Sequence, residues 1–202
     1  MKTFAPLLGL LLLIACQSSE KPKEMVETEN TKPDFTIEQL LDSLPTLPFP
    51  VRLDKTLLAD YSGQKINFDL APKLSSPMEI KEVRALAQIQ YFGQKMALLY
   101  YAYPTDSEVD DYDQMALVIF DDFGKIATHL PLDIGGTGFA STQNYIKADG
   151  EIVTAVIAEM EEVEVDVKTY QFKNGEFVES RQLSKTFRDG SYQDYLQRLI
   201  QK

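Results

Sequence analysis

The spacing of hydrophobic residues changes along the chain from a helical period to a strand period. Apolar residues recur at helical spacing over residues 37–44, and Pro45 follows, so the pattern predicts a short helix that ends there. From Arg84 onward the period falls to two, or the runs are apolar throughout, which predicts β-strands. A second helical stripe after Ser191 predicts a capped terminal helix that packs on a sheet.

The first helix carries its own start signal. Thr36 and Gln39 have the spacing of a capping box, and Phe35 with Leu40 has the spacing of the hydrophobic staple that flanks such a box. We therefore expect ordered structure to begin at Phe35.

Turn-forming sequences separate the predicted strands. They are Gly93-Gln94, Asp149-Gly150, Asn174-Gly175 and the longer turn at residues 121–124. Such sequences between apolar stretches are strong signals for β-hairpins, and the two-residue turns need positive φ at their glycine and asparagine positions. In the Asp-Gly and Asn-Gly turns both residues, Asp149 included, are expected to have positive φ. The sequence predicts a mainly β fold, an antiparallel meander or sandwich-like sheet of consecutive hairpins with short N-terminal and C-terminal helices.

The spacing of the turn glycines raises an alternative architecture. Gly124, Gly150 and Gly175 follow one another at nearly equal intervals, and such a period is also typical of repeat folds. A partial β-propeller-like hairpin repeat is therefore the alternative. The meander is favoured because no side-chain signature recurs with the glycines.

The first residues indicate an export signal. After Lys2, residues 4–15 are almost wholly apolar, but the stretch is shorter than the ~20 residues that a membrane-spanning helix needs. It ends in Leu13-Ile14-Ala15-Cys16, and a polar run follows. This ending resembles the lipobox of bacterial lipoproteins. The resemblance implies cleavage after Ala15, a thioether-linked diacylglyceryl group on Cys16, and acylation of the new amino terminus by a fatty acid such as palmitate.

Lipidation of Cys16 would give a stable membrane anchor, because two or more acyl chains together hold a protein on a bilayer. The next residue is Gln17 rather than the Asp that marks inner-membrane retention in enteric lipoproteins. By analogy we expect an outer-membrane location, facing either the periplasm or the exterior. The predicted organisation is a signal peptide (1–15), a lipidated flexible tether (16–34), polar and rich in Ser, Glu, Lys, Thr and Pro, and a single β-rich domain (35–202).

Three further motifs extend the resemblance beyond the lipobox. They are LPTLPF at residues 44–49, LLYYAY at residues 98–103 and FDDFGKI at residues 120–126. With these motifs the chain resembles uncharacterised small lipoproteins of Bacteroidota. The resemblance implies an envelope location and carries no activity to transfer.

The composition narrows the classes of function. Lys and Arg number 20 against 31 Asp and Glu, a net charge of −11, which argues against nucleic acid as a partner because its binding depends on cationic side chains. A single cysteine cannot form an internal disulfide or pair with a second cysteine in a zinc site.

Carboxylates crowd one predicted loop. The candidate ligand or calcium residues in it are Tyr103, Asp106, Glu108, Asp110, Asp111, Tyr112 and Asp113. Calcium prefers such oxygen ligands, but Asp111 stands where an EF-hand needs Gly and Leu117 where it needs Glu. A solvated, self-repelling loop is therefore the favoured interpretation, weak calcium binding is the alternative, and no other cofactor is expected. Tyr103 and Tyr112 are candidate contacts for a sugar.

Other candidates for chemistry give weaker signals. His129 is the only imidazole, no Gly-x-Ser-x-Gly elbow accompanies it, and Glu159, Glu161 and Glu162 match a charged hairpin end better than a glycosidase pair. The glycine-rich residues 135–138 precede no predicted helix, so they indicate a flexible connection rather than a phosphate-binding loop.

These observations assign no catalytic residue. We expect an outer-membrane-anchored lipoprotein with a non-catalytic binding or envelope-structural role, whose partner is an envelope protein or a glycan. The alternative is a hydrolase that acts on a glycan or peptide in the cell envelope.

Overall fold

The computed structural model describes residues 36–74, 79–91, 93–103, 113–137, 139–188 and 190–201. Residues Pro33–Lys202 form one compact unit. The predicted signal peptide and tether, the staple residue Phe35 and most of the acidic loop lie outside the described residues.

Strands dominate the described part of the chain. In chain order the elements are α1 (Ile37–Ser43), β1 (Val51–Leu53), α2 (Leu57–Asp60), β2 (Gln64–Lys65), a 3₁₀ helix η1 (Phe68–Leu70), β3 (Glu82–Tyr91), β4 (Gln94–Ala102), β5 (Gln114–Phe120), β6 (Ile126–Asp133), β7 (Gly136–Thr137), β8 (Ala140–Ile146), β9 (Ile152–Glu159), β10 (Val163–Lys173), β11 (Glu176–Phe187) and α3 (Tyr192–Gln201).

The strands form two antiparallel sheets. Sheet A has the order β2-β3-β4-β5-β6, and sheet B has the order β1-β8-β9-β10-β11, with β7 paired to β8. Apart from β1, each sheet joins strands that follow one another in the chain. The predicted mainly β meander of consecutive hairpins with terminal helices is confirmed, and the evenly spaced turn glycines belong to hairpins of both sheets.

Three apolar clusters account for the packing. The first lies between the sheets and includes Leu98 of β4 and Ile152 of β9. The second lies on the outer face of sheet A under α1 and includes Leu99. The third lies on the outer face of sheet B under α3 and includes Ile157. Strand β4 is thus buried on both faces, as its continuous apolar run predicts.

Strand β9 is covered less completely than its apolar sequence predicts. Ile157 is buried on the α3 side, whereas Val156 on the opposite face is 44% exposed. Of the residues on that opposite face, Ile152 belongs to the cluster between the sheets, so sheet A covers only this end of β9. Strand β10 alternates as predicted: Val165 and Val167 are buried and their neighbours form one solvated face.

The predicted capping box at α1 is confirmed. The Thr36 backbone N–H donates to Gln39 Oε1 at 2.8 Å, and the Gln39 backbone N–H donates to Thr36 Oγ1 at 3.2 Å. The helix places Leu40 and Leu41 in the cluster on sheet A. A seven-residue helix depends on such caps because few intrahelical hydrogen bonds stabilise it.

Replacing Thr36 by alanine is expected to lower the free energy of unfolding by about 0.5–2 kcal/mol, because the Gln39 backbone N–H loses its capping acceptor. Urea denaturation measures the change. Thr36→Ser keeps the capping oxygen and is the matched control. Equal losses in both variants would show that the methyl group of Thr36, rather than its hydroxyl, contributes the stability.

Gln88 fixes the segment that follows α1. Its backbone N–H donates to the Pro45 carbonyl at 2.9 Å, its carbonyl accepts from the Leu47 N–H at 2.8 Å, and its Nε2 donates to the Leu44 carbonyl at 3.1 Å. The chain then enters the core between the sheets and pairs with β8 as β1. Residues 36–53 therefore contact both sheets.

The hairpin turns follow the predicted positions with two corrections. Tyr91 pairs with Gln94, which is the first residue of β4, so the predicted turn at Gly93-Gln94 is one residue too late. Asn174 and Gly175 both have positive φ, 52° and 88°, as predicted.

The turn at Asp149-Gly150 differs from the predicted two-residue form. Only Gly150 has positive φ, and its N–H donates to the Lys147 carbonyl, so the turn extends over residues 147–151. A Cβ at Gly150 would lie 1.6 Å from Cε2 of Tyr91, the last residue of β3. Burial raises the pKa of Tyr91, and the charges of Asp149 and Glu151 raise it further. Gly150 thus lets a turn of sheet B pack directly on a ring of sheet A.

The predicted terminal helix is also confirmed. The helix α3 packs on the outer face of sheet B through one stripe of side chains. The members of that stripe are Tyr192, Tyr195, Leu196 and Leu199.

Candidate functional site

Two of the seven candidate residues of the acidic loop are described, Tyr103 and Asp113. The Tyr103 ring is 5% exposed and packs in the cluster under α1, and its hydroxyl donates to Gln114 Oε1 at 2.6 Å. Its ring therefore offers no face to a sugar. Asp106, Glu108, Asp110, Asp111 and Tyr112 lie outside the described residues.

Asp113 is engaged by neighbouring side chains where the loop joins β5. Its Oδ2 accepts from the Tyr100 hydroxyl at 2.9 Å and lies 3.3 Å from Lys55 Nζ. Next to it, Gln114 Nε2 donates to Asp133 Oδ1 at 2.7 Å. These contacts fix the end of the loop to β4, β5 and β6. Among the described residues, no three His, Cys, Asp or Glu side chains gather as a metal site would require.

The structure separates the other residues considered for catalysis. His129 is exposed on β6, and its side chain has no hydrogen bond or ion pair within the described ranges. Glu159 accepts from the Tyr192 hydroxyl at 2.9 Å, and Glu162 accepts from Arg188 Nε at 2.7 Å. Both contacts tie the β9–β10 turn to the region of α3.

The described part of the predicted glycine-rich connection contains a short strand. Gly136 and Thr137 form the short strand β7, which pairs with Ser141 and Ala140 of β8. The backbone hydrogen bonds of β8 compensate for the entropy that glycine loses when it is ordered. The segment leads into a strand, so it lacks the helix amino terminus that a phosphate-binding loop uses.

A groove of about 790 Å³ lies at the start of α1. The residues that line it are Thr36, Ile37, Glu38, Leu41, Leu70, Gly93, Lys95, Phe120, Asp121, Asp122, Phe123 and Gly124. They come from α1 and its N-cap, η1, the β3–β4 turn with the start of β4, the end of β5, and the β5–β6 turn. Thr36, the first described residue, is also the point where the preceding chain joins the body.

The β5–β6 turn shapes one wall of this groove. Asp121 Oδ1 accepts from the backbone N–H groups of Phe123 and Lys125 at 2.9 and 2.8 Å, and Gly124 adopts φ 73°. A Cβ at Gly124 would lie 3.0 Å from Ile37, so glycine lets the turn approach α1. This geometry leaves the Phe123 ring 88% exposed at the edge of the groove.

The groove combines an apolar floor with an acidic rim. Ile37, Leu41, Leu70 and Phe120 supply the floor, and the carboxylates of Glu38, Asp121 and Asp122 lie along the rim.

The one cation among the described lining residues is Lys95, which forms an ion pair with Asp42. The hydrogen bond to Asp42 raises the pKa of Lys95, against an opposing effect of desolvation. The charge of Lys95 is therefore largely balanced by Asp42, and the groove as a whole favours a cationic, partly apolar ligand.

Sequence reasoning identified the β5–β6 turn but not the groove. Its walls come from segments far apart in the chain, and only the fold brings them together. One signal was present in the sequence, an aromatic residue at the centre of the polar turn 121–124.

Comparison with protein-family models, curated proteins and solved structures gives no match to this chain. Among the described residues, no helix has both the length and the apolar character needed to cross a bilayer. The proposed function therefore depends on the geometry of the groove and on the resemblance of residues 13–16 to a lipobox.

Proposed function

We propose that the protein is an outer-membrane lipoprotein, anchored through Cys16, whose β body binds an exposed basic and apolar segment of another envelope protein. The lipobox at residues 13–16 supports the anchor. The polar, Pro-containing residues 17–34 support a tether that gives the body reach beyond the lipid surface.

The observation that carries the binding role is Phe123 beside the apolar floor of the groove. An aromatic ring that is 88% exposed provides apolar area that only a partner can bury, and aromatic side chains are typical energetic centres of interfaces. The ring lies at the edge of a concavity that already contains apolar side chains of α1 and β5.

The acidic side chains of the groove indicate that the partner segment is basic. Glu38, Asp121 and Asp122 lie on the rim, and the whole chain has a net charge of −11. Such a potential attracts a basic segment and repels an acidic one, and it increases the rate of encounter at low salt. A neutral glycan would gain nothing from this potential.

A pair of fluorescent peptides tests the proposal, one of alternating Lys and Leu and one with Glu in place of Lys. The chain from Gln17 onward, which contains the compact unit Pro33–Lys202, is titrated into each. The Lys peptide is expected to bind and the Glu peptide to fail. Phe123→Ser should weaken binding at least about tenfold, the effect of losing one interface anchor.

Phe139→Ser is the matched control for this experiment. Phe139 is 77% exposed and lies in the β7–β8 turn of sheet B, outside the groove. This variant should bind like the unsubstituted chain. Equal affinity for both peptides, or equal losses in the two Phe variants, would refute the groove as the binding site.

A further inference from the structure

A smaller cavity, of about 110 Å³, lies between α3 and the outer face of sheet B. The residues that line it are Lys147, Glu151, Val153, Val167, Thr169, Arg181, Leu183 and Leu199. The volume is well below the roughly 300–1,000 Å³ of pockets for drug-sized ligands, so any occupant is small.

Lys147 places a buried cation in this cavity. Its side chain is 9% exposed, and its Nζ lies 2.8 Å from Glu151 Oε2 and 3.8 Å from Asp149 Oδ2. Only the first of these distances is within hydrogen-bonding range. An ammonium group carries three donors, so its bond to Glu151 leaves hydrogen-bonding capacity for a further acceptor in the cavity.

Arg181 adds a second cation to the same lining. It lies directly opposite Thr169 in the β10–β11 ladder, so the two side chains share the face of sheet B that α3 covers. The Arg181 side chain forms no hydrogen bond or ion pair with the part of the chain that the structure describes. The cavity thus has two cations and one carboxylate, in a protein with a net charge of −11.

The remaining walls are aliphatic. They are formed by Val153, Val167, Leu183 and Leu199. A fully polar anion such as phosphate would leave oxygen atoms against these side chains without partners, which is costly in a buried site. A ligand with one anionic end and one aliphatic end would pair with the two cations and also pack on the aliphatic walls.

We propose that this cavity binds a small aliphatic carboxylate. The carboxylate lies between Lys147 and Arg181. Thr169 lines the site beside it, and its hydroxyl is held by Ser180 at 2.9 Å. The alkyl group packs on Val153, Val167 and Leu199. The site is on the α3 side of sheet B and does not depend on the groove at α1, so each can be tested alone.

The test compares four probes by NMR titration of the chain from Gln17 onward: butyrate, 1-butanol, butylamine and inorganic phosphate. Butyrate should give saturable shifts for residues that line the cavity. The alcohol and the amine have similar alkyl chains but lack the negative charge, and phosphate lacks the alkyl chain, so none of the three should saturate these resonances.

Arg181→Gln is the informative variant, because Arg181 is exposed and its removal leaves no buried group unpaired. It should weaken butyrate binding about tenfold, the effect of losing a charge-assisted hydrogen bond. Lys168→Gln changes the net charge equally on the opposite face of β10 and should leave binding unchanged.

Two results would overturn the proposal. One is a response to butyrate no greater than the response to 1-butanol, which would mean apolar partitioning alone. The other is an equal loss in Arg181→Gln and Lys168→Gln, which would mean general attraction by the charge of the protein.

Discussion

Replacing Gly150 by alanine is expected to lower the free energy of unfolding by about 2–5 kcal/mol. Gly150 has φ 83°, a conformation that costs a residue with a Cβ about 1–2 kcal/mol. The new Cβ would also lie 1.6 Å from Cε2 of Tyr91. The ring must shift, and overpacking of this kind costs about 1–3 kcal/mol more. Since the contact joins a turn of sheet B to a strand of sheet A, the loss should affect the whole fold.

Gly175→Ala separates the two causes. Gly175 has φ 88°, but a Cβ there would meet no atom within 4 Å. Urea denaturation should give a loss of only about 1–2 kcal/mol for this variant. In addition, Tyr91→Ala removes the ring that the new Cβ would meet. The double variant Gly150→Ala with Tyr91→Ala should therefore lose less free energy of unfolding than the sum of the two single losses. Equal losses at Gly150 and Gly175 would contradict the packing argument.

Replacing Cys16 by alanine is expected to abolish membrane association while the body stays folded. Each CH₂ group of an acyl chain that enters the bilayer contributes about 0.8 kcal/mol, so loss of the lipid removes the main attachment. Fractionation of membranes after a high-salt wash measures the association, and circular dichroism measures the fold. Ser19→Ala, which leaves residues 13–16 intact, is the control.

Retention of the Cys16→Ala variant on washed outer membrane would contradict lipid anchoring as the main attachment. A tight protein partner in that membrane would then hold the body in place. Combining Cys16→Ala with Phe123→Ser would show whether the groove is the surface that this partner contacts.

Local signals account for the parts of the fold that the sequence predicts correctly. Asn174-Gly175 specifies its hairpin because both residues adopt positive φ, and Thr36 with Gln39 specifies the start of α1 because the hydrogen bonds lie within three residues. Neither feature depends on the rest of the chain. The interactions that stabilise both features lie within a few residues, so the residue types alone are sufficient to predict them.

The strands that the sequence does not predict are those that depend on a distant partner or lack a hydrophobic pattern. Strand β1 has only three residues, and its partner β8 lies far along the chain, so nothing local marks it. Strand β11 continues to Phe187, and the sequence does not reveal this length because β11 is the edge strand of sheet B and is mostly exposed. An exposed edge strand needs no hydrophobic alternation, and charged side chains there protect it against pairing with other chains.

Both candidate sites show the same limit. In the groove, Phe123 contributes from a turn that the sequence reveals, but the position of α1 beside it follows from the packing of Leu40 and Leu41 on sheet A. In the small cavity, Lys147 comes from the β8–β9 turn and Arg181 from β11, and only the fold brings them into one lining. Residue type indicates what a side chain can bind, whereas the fold decides which side chains act together.

The position of Thr36 determines how the proposed assembly would carry tension. The chain that leads to the anchor joins the body at Thr36, and the same residue lines the groove. A pull between the membrane and a partner in the groove would therefore pass across the start of α1 and the adjacent β5–β6 turn. The hairpins of sheet B do not lie between Thr36 and the groove. In the proposed assembly the body would therefore transmit tension without depending on the mechanical strength of sheet B.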